Sequence, residues 1–373
     1  MFGKMKKKKV AIIGTNGIPA RYGGFETLAE NLVAQLGDKY EFTVYCSNIY
    51  KKHERRKTYK NAKLKYIPLK ANGFQSILYD IINTFHAWYT ADVLLVLGPA
   101  VGFILPLNKL FKKKLIINHG GLNEWEREKL STVEKKYAYY SHKLAAKSAN
   151  VNIADNFLLK ESLKQNFNVE AEVIEYGGDH ITKRNITDSL IVKYPFLNKK
   201  YDLSVSRAQK DNNLHLLLNA YAKLPKRNLV LISNWEISEY GKELKAKFKN
   251  RYPNIYVVDS IYEKKTLDVI RSNAELYIHT HSQCGTSPSL VEAMNYEIPV
   301  ICFDVGTNRA TTKNQSFYFH DEETLIQLLT SLTENDLEKL KHSMKTIAKE
   351  NFTWDIIANK YDKLIEKIYE TIC

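Results

Sequence analysis

The chain has 373 residues, enough for two domains of ordinary size that each bury a core. Its 44% hydrophobic and 26% charged residues are typical of globular proteins, and its four scattered cysteines argue against a disulfide framework and a CxxC zinc site. The net charge of +14 is uneven: residues 1–180 hold 28 Lys and Arg against 17 Asp and Glu, and residues 181–373 hold 27 against 24. The N-terminal half therefore faces an acidic partner or has a strongly solvated basic surface.

The first predicted element is a buried strand over Val10–Ile13. The lysine-rich residues before it do not form the apolar segment of a signal peptide. A glycine-rich turn follows, then a helix to Leu36. Such a turn can cradle a phosphate or can be a plain turn. It does not match G-x-G-x-x-G, and the next strand, Phe42–Tyr45, ends without an acidic residue for ribose. An NAD enzyme is therefore disfavoured.

The remainder of this half alternates strands and helices, apart from a basic run over 51–65 that we expect to be a solvated loop. His119 follows a strand at the edge where open α/β sheets place ligands, so it can be structural or catalytic. The predicted strands and helices are Ile77–Tyr89 (helix), Val93–Leu97, Leu115–Ile117, Glu126–Ala149 (helix), Val151–Ile153, a helix from Asp155, and Val173–Ile174.

The second half begins again with a strand from Leu203 that leads into a loop at Arg207. Alternation of strands and helices in both halves predicts an α/β fold with two doubly wound domains. Further strands are predicted at Leu229–Ile232, Ile255–Val258, Leu276–Ile278 and Val300–Phe303, and a last helix from Phe352.

The stretch over 279–294 lies between a strand and a helix with a clear start, in which Ser287 can cap and Pro288 takes the first helical position. Backbone N–H groups of Gly285, Thr286 and Ser287, with the helix dipole behind them, can meet a diphosphate. Glu292, one turn further on, can accept hydrogen bonds from a ribose diol. An ordinary capped helix whose glutamate complements the dipole is the alternative.

Two segments resemble a known family. The residues GTSPSLVEAM at 285–294 resemble the donor-binding segment of family 4 glycosyltransferases, in particular the rhamnosyltransferase-like branch of bacterial surface-polysaccharide synthesis, and GIPARYGGFET at 17–27 resembles its opening loop. The resemblance implies the GT-B fold, with two Rossmann-like domains that face a central cleft. It implies domains over 1–180 and 200–350, a linker over 181–199, and a C-terminal helix over 351–373 that packs back on the first domain.

The resemblance also implies roles for single residues. Where the family has a lysine five positions after Arg207 this chain has Asn212, so Lys210 is the candidate second cation, and Cys284 replaces the first of two glutamates spaced eight apart. The implied set is Arg207 and His119 in catalysis; Gly23, Gly24, Arg207, Lys210, Gly285, Thr286 and Ser287 at the donor phosphates; and Glu292, Ile261 and Tyr262 at the nucleoside.

The function implied is a retaining transfer of rhamnose or another hexose from a dTDP- or UDP-sugar to a lipid-linked or saccharide acceptor. No cofactor is expected, and no metal, because the chain has no Asp-x-Asp pair. The basic clusters at 109–114 and 135–140 predict peripheral contact with the inner face of the cell membrane. A GT-B protein that binds nucleotide without transfer is an alternative. A nucleic-acid-binding protein is disfavoured, since no RNA-binding motif is present.

Overall fold

The computed structural model describes residues 7–21, 23–127 and 130–370. The chain divides into two compact units, the first formed by residues up to Glu175 together with those from Trp354 onward, the second by Tyr176–Thr353. Each unit is an α/β domain built on its own sheet, and the two are described separately.

The first unit contains an eight-stranded sheet among its described residues, in the order β3-β4-β2-β1-β5-β6-β7-β8. All its strand pairs are parallel except β3 with β4. The strands are β1 (Lys9–Ile13), β2 (Glu41–Cys46), β3 (Thr58–Tyr59), β4 (Ala62–Tyr66), β5 (Val93–Leu97), β6 (Lys114–Asn118), β7 (Val151–Ala154) and β8 (Ala171–Val173).

The central strands of this sheet form its core. Residues 10–13 and 93–97 are at most 1% exposed, because parallel strands are covered by helices on both faces and so read as continuous apolar runs. The expected loop over 51–65 is wrong in part, since β3 and β4 pair there in antiparallel register, Thr58 with Lys63. Lysines alternate with apolar residues along β4, a period that marks a strand with one exposed face.

The helices of the first unit up to residue 167 are α1 (Gly24–Leu36), α2 (Phe74–Thr90), α3 (Asn108–Phe111), α4 (Thr132–Ser148) and α5 (Phe157–Phe167). The predicted start of α4 at Glu126 is wrong. The helix starts at Thr132 because Ser131 caps it: Glu134 N donates to Ser131 Oγ at 3.3 Å, and the Glu134 carboxylate accepts from Ser131 N at 2.8 Å. Asn156 caps α5 in the same way, accepting from Leu159 N.

The second unit has a parallel six-stranded sheet in the order β11-β10-β9-β12-β13-β14, counted over the described residues. Strand order reverses between β9 and β12, so the chain winds one way from β9 and the other way from β12. The strands are β9 (Asp202–Val205), β10 (Leu229–Ser233), β11 (Ile255–Asp259), β12 (Leu276–His279), β13 (Val300–Phe303) and β14 (Phe317–Phe319).

Eight helices accompany this sheet in the described part of the unit: α6 (Asp188–Lys193), α7 (Leu214–Ala222), α8 (Glu239–Phe248), α9 (Lys264–Ser272), α10 (Pro288–Asn295), α11 (Gly306–Thr311), α12 (Glu322–Ser331) and α13 (Glu334–Asn351). The stretch predicted as a linker, 181–199, lies within this unit and carries α6 and a 3-10 turn over Pro195–Asn198. Phe196 and Leu197 in that turn are buried, so the segment belongs to the domain.

The last helix, α14 (Trp354–Glu370), lies in the first unit. Its apolar face is buried, and Tyr361 accepts a hydrogen bond from Asn118 Nδ2 at 2.8 Å at the end of β6. Asp362 accepts from Lys39 and from the Tyr40 hydroxyl, at 2.7 and 2.6 Å, just beyond α1.

Candidate functional site

The candidate site of the second unit lies where its strand order reverses. Ligands of open α/β sheets bind beyond the carboxyl ends of the strands at such a reversal, because the loops from the two strands diverge there and leave a crevice. The two strands are β9 and β12, and the loops that follow them are 206–213 and 280–287. These loops contain all the residues of this unit that were predicted at the donor phosphates.

The loop after β9 presents two cations. Arg207 and Lys210 are both exposed, and neither side chain forms an ion pair with any residue that the structure describes. Asn212, which replaces the lysine of the family pattern, is buried, and its Nδ2 donates to the main-chain carbonyl of Arg207 at 2.8 Å. Asn212 therefore holds the loop that carries Arg207 and does not itself supply a charge.

The loop after β12 is tied to the loop after β9 by hydrogen bonds. Ser282 donates to the Asp211 carbonyl from both N and Oγ, at 2.9 and 2.8 Å. Thr280 Oγ1 donates to the Asn212 carbonyl at 2.5 Å, and Ser206 Oγ lies 2.9 Å from His281 Nε2. The two loops are thus one connected polar structure, which brings the Arg207 loop and the Gly285–Ser287 segment to the same edge of the sheet.

The start of α10 is partly as predicted. Pro288 is the first helical residue and Ser287 stands at the N-cap, but the Ser287 side chain makes no capping hydrogen bond. Its Oγ lies 3.2 Å from Ser289 Oγ. The expectation that Ser287 caps with its side chain is therefore wrong. Thr286 and Ser287 are at most 5% exposed, so the polar groups of this segment are enclosed.

Glu292 is a nearly buried carboxylate with two neighbours that sequence reasoning missed, an arginine and a histidine. Arg271 Nη1 donates to its Oε2, and His180 Nε2 lies 3.2 Å from its Oε1. Burial alone would raise the pKa of Glu292, but the charges of Arg271 and His180 outweigh it and lower that pKa to about 2. Glu292 is therefore ionised at neutral pH, and each of its oxygens keeps a further lone pair for another donor.

The two residues predicted along the nucleobase lie elsewhere in the same unit. Ile261 and Tyr262 follow β11 and help to line a groove of about 550 Å³ beside α6. The lining of that groove contains neither Arg207 nor Glu292. The structure therefore brings Arg207, Lys210 and Gly285–Ser287 together and leaves Ile261 and Tyr262 at a separate groove two strands away.

The strand order of the first unit reverses between β1 and β5, next to the predicted phosphate loop. Gly23 is the N-cap of α1 with a φ of 123°, and a Cβ there would lie 1.9 Å from Glu26 Oε2, so only glycine fits. Loop amides are already taken by carboxylates of α1: Asn16 N donates to Glu26 at 2.7 Å, and Ala20 N donates to Glu30 at 2.6 Å.

These two acceptors were missed because their partners are ten residues away in the chain and no local pattern marks them. They place negative charge beside Gly23 and Gly24, where a donor diphosphate was predicted. A role of Gly23 and Gly24 at the diphosphate stays a prediction.

His119 is 1% exposed at the end of β6. Its Nε2 lies 2.9 Å from Asn152 Oδ1 and its Nδ1 lies 3.4 Å from His142 Nδ1, so both ring nitrogens have neighbours inside the unit. Burial lowers the pKa of His119 to about 4 despite the bond to Asn152, which keeps the ring neutral. This environment suits a histidine that holds the fold, and a catalytic role stays a prediction.

Comparison with known families separates the two units. Residues 188–351 match the family model described as "Glycosyl transferases group 1". The second unit carries a glycosyltransferase group 1 domain. Its match covers β9 to β14, including both loops of the candidate site. Residues 7–179 match a domain of unknown function, DUF1972, which gives no activity for the first unit.

A curated relative shares part of this sequence. "Glycosyltransferase 1 domain-containing protein 1" of Xenopus tropicalis is 26% identical over 149 residues, which is 39% of this chain and 43% of the relative. The match thus spans less than half the length of that relative.

Solved structures similar to this chain share its whole fold. Sucrose-phosphate synthase from Thermosynechococcus elongatus aligns with a TM-score of 0.79 at 16% identity, covering 98% of this chain and all of that chain. Anabaena HepE in complex with UDP and glucose aligns with a TM-score of 0.74 at 15% identity, covering 96% of this chain and all of that chain. Together with the group 1 domain they confirm the predicted fold class, GT-B with two Rossmann-like domains.

Proposed function

We propose that this chain is a glycosyltransferase of the rhamnosyltransferase-like branch of family 4, which moves rhamnose or another hexose from a dTDP- or UDP-sugar with retention. The proposed acceptor is a lipid-linked or saccharide intermediate of bacterial surface polysaccharide. The observation that carries the proposal is the pair of hydrogen-bonded loops at the strand reversal of a group 1 domain, with Arg207 and Lys210 exposed on one of them.

The chemistry follows from the leaving group. Transfer releases a nucleoside diphosphate, so negative charge grows on its phosphates as the bond to the sugar breaks. Arg207, Lys210 and the N-terminus of α10 provide positive charge at one sheet edge, and fixed charges of this kind lower the barrier without a metal ion. The Anabaena neighbour was solved with UDP and glucose, which supports a nucleotide-sugar donor for this chain.

Glu292 completes the proposed donor site. It is ionised and fixed by Arg271 and His180, so it accepts hydrogen bonds from a ribose diol without having to lose a proton first. The Arg271 guanidinium that holds it also offsets the repulsion between its carboxylate and a nearby diphosphate.

A nucleotide-binding protein without transfer activity is the second candidate. Two residues favour it, because Asn212 and Cys284 replace a lysine and a glutamate of the family pattern, and Asn212 serves the Arg207 backbone instead of a phosphate. Both candidates bind a nucleotide sugar, and only the first turns it over.

A panel of nucleotide sugars tests both candidates. A matched donor should raise the melting temperature of the purified chain by mass action. That donor should then release nucleoside diphosphate, slowly to water and faster with an acceptor. Stabilisation without any release would reject transfer in favour of binding alone, and no stabilisation by any donor would reject both.

We further propose that the first unit acts on the inner face of the cytoplasmic membrane. Helix α2 carries an exposed apolar stripe at helical spacing, Leu78, Ile82, Phe85 and Tyr89, which are 39–76% exposed. The rings of Trp88 in α2 and Phe111 in α3 are stacked, with centroids 4.3 Å apart, which joins the stripe to α3. Leu110 of α3 is 77% exposed.

Lysines lie at the α3 end of this apolar surface. Lys109, Lys112 and Lys113 lie on and just after α3 beside Leu110, and the first unit carries most of the net charge of the chain. Apolar side chains bordered by lysines suit an anionic headgroup region, where each lysine near the surface contributes about 1 kcal/mol. None of the described helices is long and apolar enough to cross a membrane.

Vesicle sedimentation tests this placement. The chain should pellet with anionic vesicles at low salt and release at high salt, because charges are screened within about 8 Å at physiological ionic strength. Replacing Tyr89 and Leu110 by Ser should abolish pelleting, whereas Val192→Ser, at a residue 84% exposed in the second unit, should not. Equal recovery with neutral and anionic vesicles would contradict the proposal.

A further inference from the structure

The loop after β12 gathers three side chains that ligate soft metal ions. His279, His281 and Cys284 each offer one ligand atom, and these three atoms lie within 4.8 Å of one another. The ligand atoms of a tetrahedral zinc site stand about 3.3–3.8 Å apart, given Zn–N near 2.0–2.1 Å and Zn–S near 2.3 Å. The three atoms therefore need only small side-chain rotations to share one ion.

His279 is the member of this cluster that the protein leaves unsatisfied. It is 1% exposed, and neither Nδ1 nor Nε2 has a hydrogen-bond partner among the residues that the structure describes. A buried polar group without a partner has lost its hydrogen bonds to water with nothing in exchange, so binding a partner there is favourable. Its ring centroid lies 4.3 Å from that of His281, and one of its ring nitrogens is among the three clustered ligand atoms.

A second member of the cluster is oriented from outside it. His281 Nε2 lies 2.9 Å from Ser206 Oγ, a partner of the kind that orients ligating histidines.

We propose that His279, His281 and Cys284 bind a zinc-class ion. Two imidazoles and one thiolate are borderline-soft ligands that favour Zn²⁺ over Mg²⁺, and three protein ligands leave the fourth tetrahedral position open. The site takes the ion by losing one proton: the Cys284 S–H bond breaks, the proton goes to solvent, and the sulfur keeps the electron pair that forms the bond to the metal.

The position of the site gives it a consequence for the neighbouring loop. Cys284 directly precedes Gly285–Ser287, and Asn308 Nδ2 holds the His281 carbonyl at 2.9 Å from the other side. A bound ion would tie the start of that segment to the end of β12. Metal binding is not part of the proposed function. It is measured separately from sugar transfer, so either proposal can fail without the other.

Titration of the full chain with Co²⁺ and Zn²⁺ tests the site. Co²⁺ should give a sulfur-to-metal absorption band at one ion per chain, and Zn²⁺ should displace it. Cys284→Ala should remove the band, and His281→Ala should weaken Zn²⁺ binding at least tenfold, whereas His320→Ala, at an exposed histidine outside the cluster, should change neither. Absence of the band in the wild-type chain, or unchanged Zn²⁺ affinity in Cys284→Ala, would overturn the proposal.

A second measurement needs no variant. Zn²⁺ should slow alkylation of Cys284 in the native chain, read from the mass of its peptide, and should leave the rate at Cys46 in the first unit unchanged. Equal rates of Cys284 alkylation with and without Zn²⁺ would likewise overturn the site.

Discussion

The two units have the same kind of sheet, and each reverses its strand order once, yet the two reversal points have opposite chemistry. In the first unit Glu26 and Glu30 bind the loop amides after β1, and a Cβ added at Gly98 or Gly120 would lie 3.3 or 3.2 Å from the ring of Phe25. In the second unit the corresponding loops present exposed cations and bury polar loop residues instead.

The difference shows that net charge does not locate a charged site. The first unit holds 31 Lys and Arg against 20 Asp and Glu, and the second holds 24 against 21. The more basic unit nevertheless places carboxylates at its reversal point, and the nearly neutral unit places Arg207 and Lys210 there. The net charge of the first unit therefore does not predict the charge at its reversal point.

The largest effect is expected from Arg207→Ala in the second unit. Loss of one fixed charge at a leaving group costs about a hundredfold or more in kcat, so turnover should fall by that factor. Arg251→Ala, at an exposed arginine of the same unit, is the matched control. If KM rises while kcat stays near the wild-type value, Arg207 only binds the donor.

The Arg271–Glu292 pair gives a dependence of stability on pH. The pKa of Glu292 is lowered from 4.5 to about 2, so its stabilising contribution is complete above pH 4.5 and is lost as the pH falls toward 2. The lost contribution is on the order of 3 kcal/mol. Urea midpoints of wild type and Glu292→Gln should therefore differ at pH 7, and the difference should shrink below pH 4.5 and vanish only near pH 2. A difference in urea midpoint that stays constant as the pH falls would show that ionisation of Glu292 does not cause it.

Nucleotide affinity should also depend on Glu292. Glu292→Ala, at first sight the simplest variant, would leave Arg271 as a buried charge without its partner, and such losses destabilise proteins strongly. Glu292→Gln keeps the shape, and we expect it to weaken UDP or dTDP binding by about 1–3 kcal/mol. Calorimetry with Glu243→Gln, at an exposed glutamate of the same unit, as control checks this. Unchanged affinity would reject the ribose role.

The first unit should respond differently at its own reversal point. Glu26→Ala removes the acceptor of Asn16 N, which costs about 1 kcal/mol or more of stability because that amide is part-buried. Donor affinity should stay unchanged, because the carboxylate serves the loop and not a ligand. If Glu26→Ala instead tightened donor binding, the glycine loop would be a phosphate site that Glu26 normally opposes, and the contrast between the units would fail.

Removal of Mg²⁺ and Mn²⁺ should have the smallest effect. With His279, His281 and Cys284 saturated with Zn²⁺, turnover should be the same with and without Mg²⁺ or Mn²⁺, because the positive charges proposed at the donor phosphates belong to the protein. Complete loss in EDTA that Mg²⁺ or Mn²⁺ restores would overturn metal independence.

Most strands and the fold class could be predicted from the sequence, because runs of apolar residues and their periodicity are local properties of the chain. Pairings between distant residues carry no such local pattern. Arg271 and His180 reach Glu292 from segments 21 and 112 positions away, and nothing in their own neighbourhoods marks them. The start of α4 was predicted too early for a related reason. Charged residues before Ser131 extend the helical pattern of the sequence toward the N-terminus, whereas the capping box at Ser131 sets the first turn of the helix.

The helix α14 has a consequence for how the chain is made. The first unit begins with β1 but obtains α14, which packs against α1 and bonds to Lys39 and Tyr40 just beyond it, only after the whole second unit has left the ribosome. Domains generally fold as they are synthesised, N-terminal part first. The nascent first unit must therefore wait with an uncovered apolar surface beside α1, and chaperones that hold such surfaces should bind the nascent chain until residue 370 emerges.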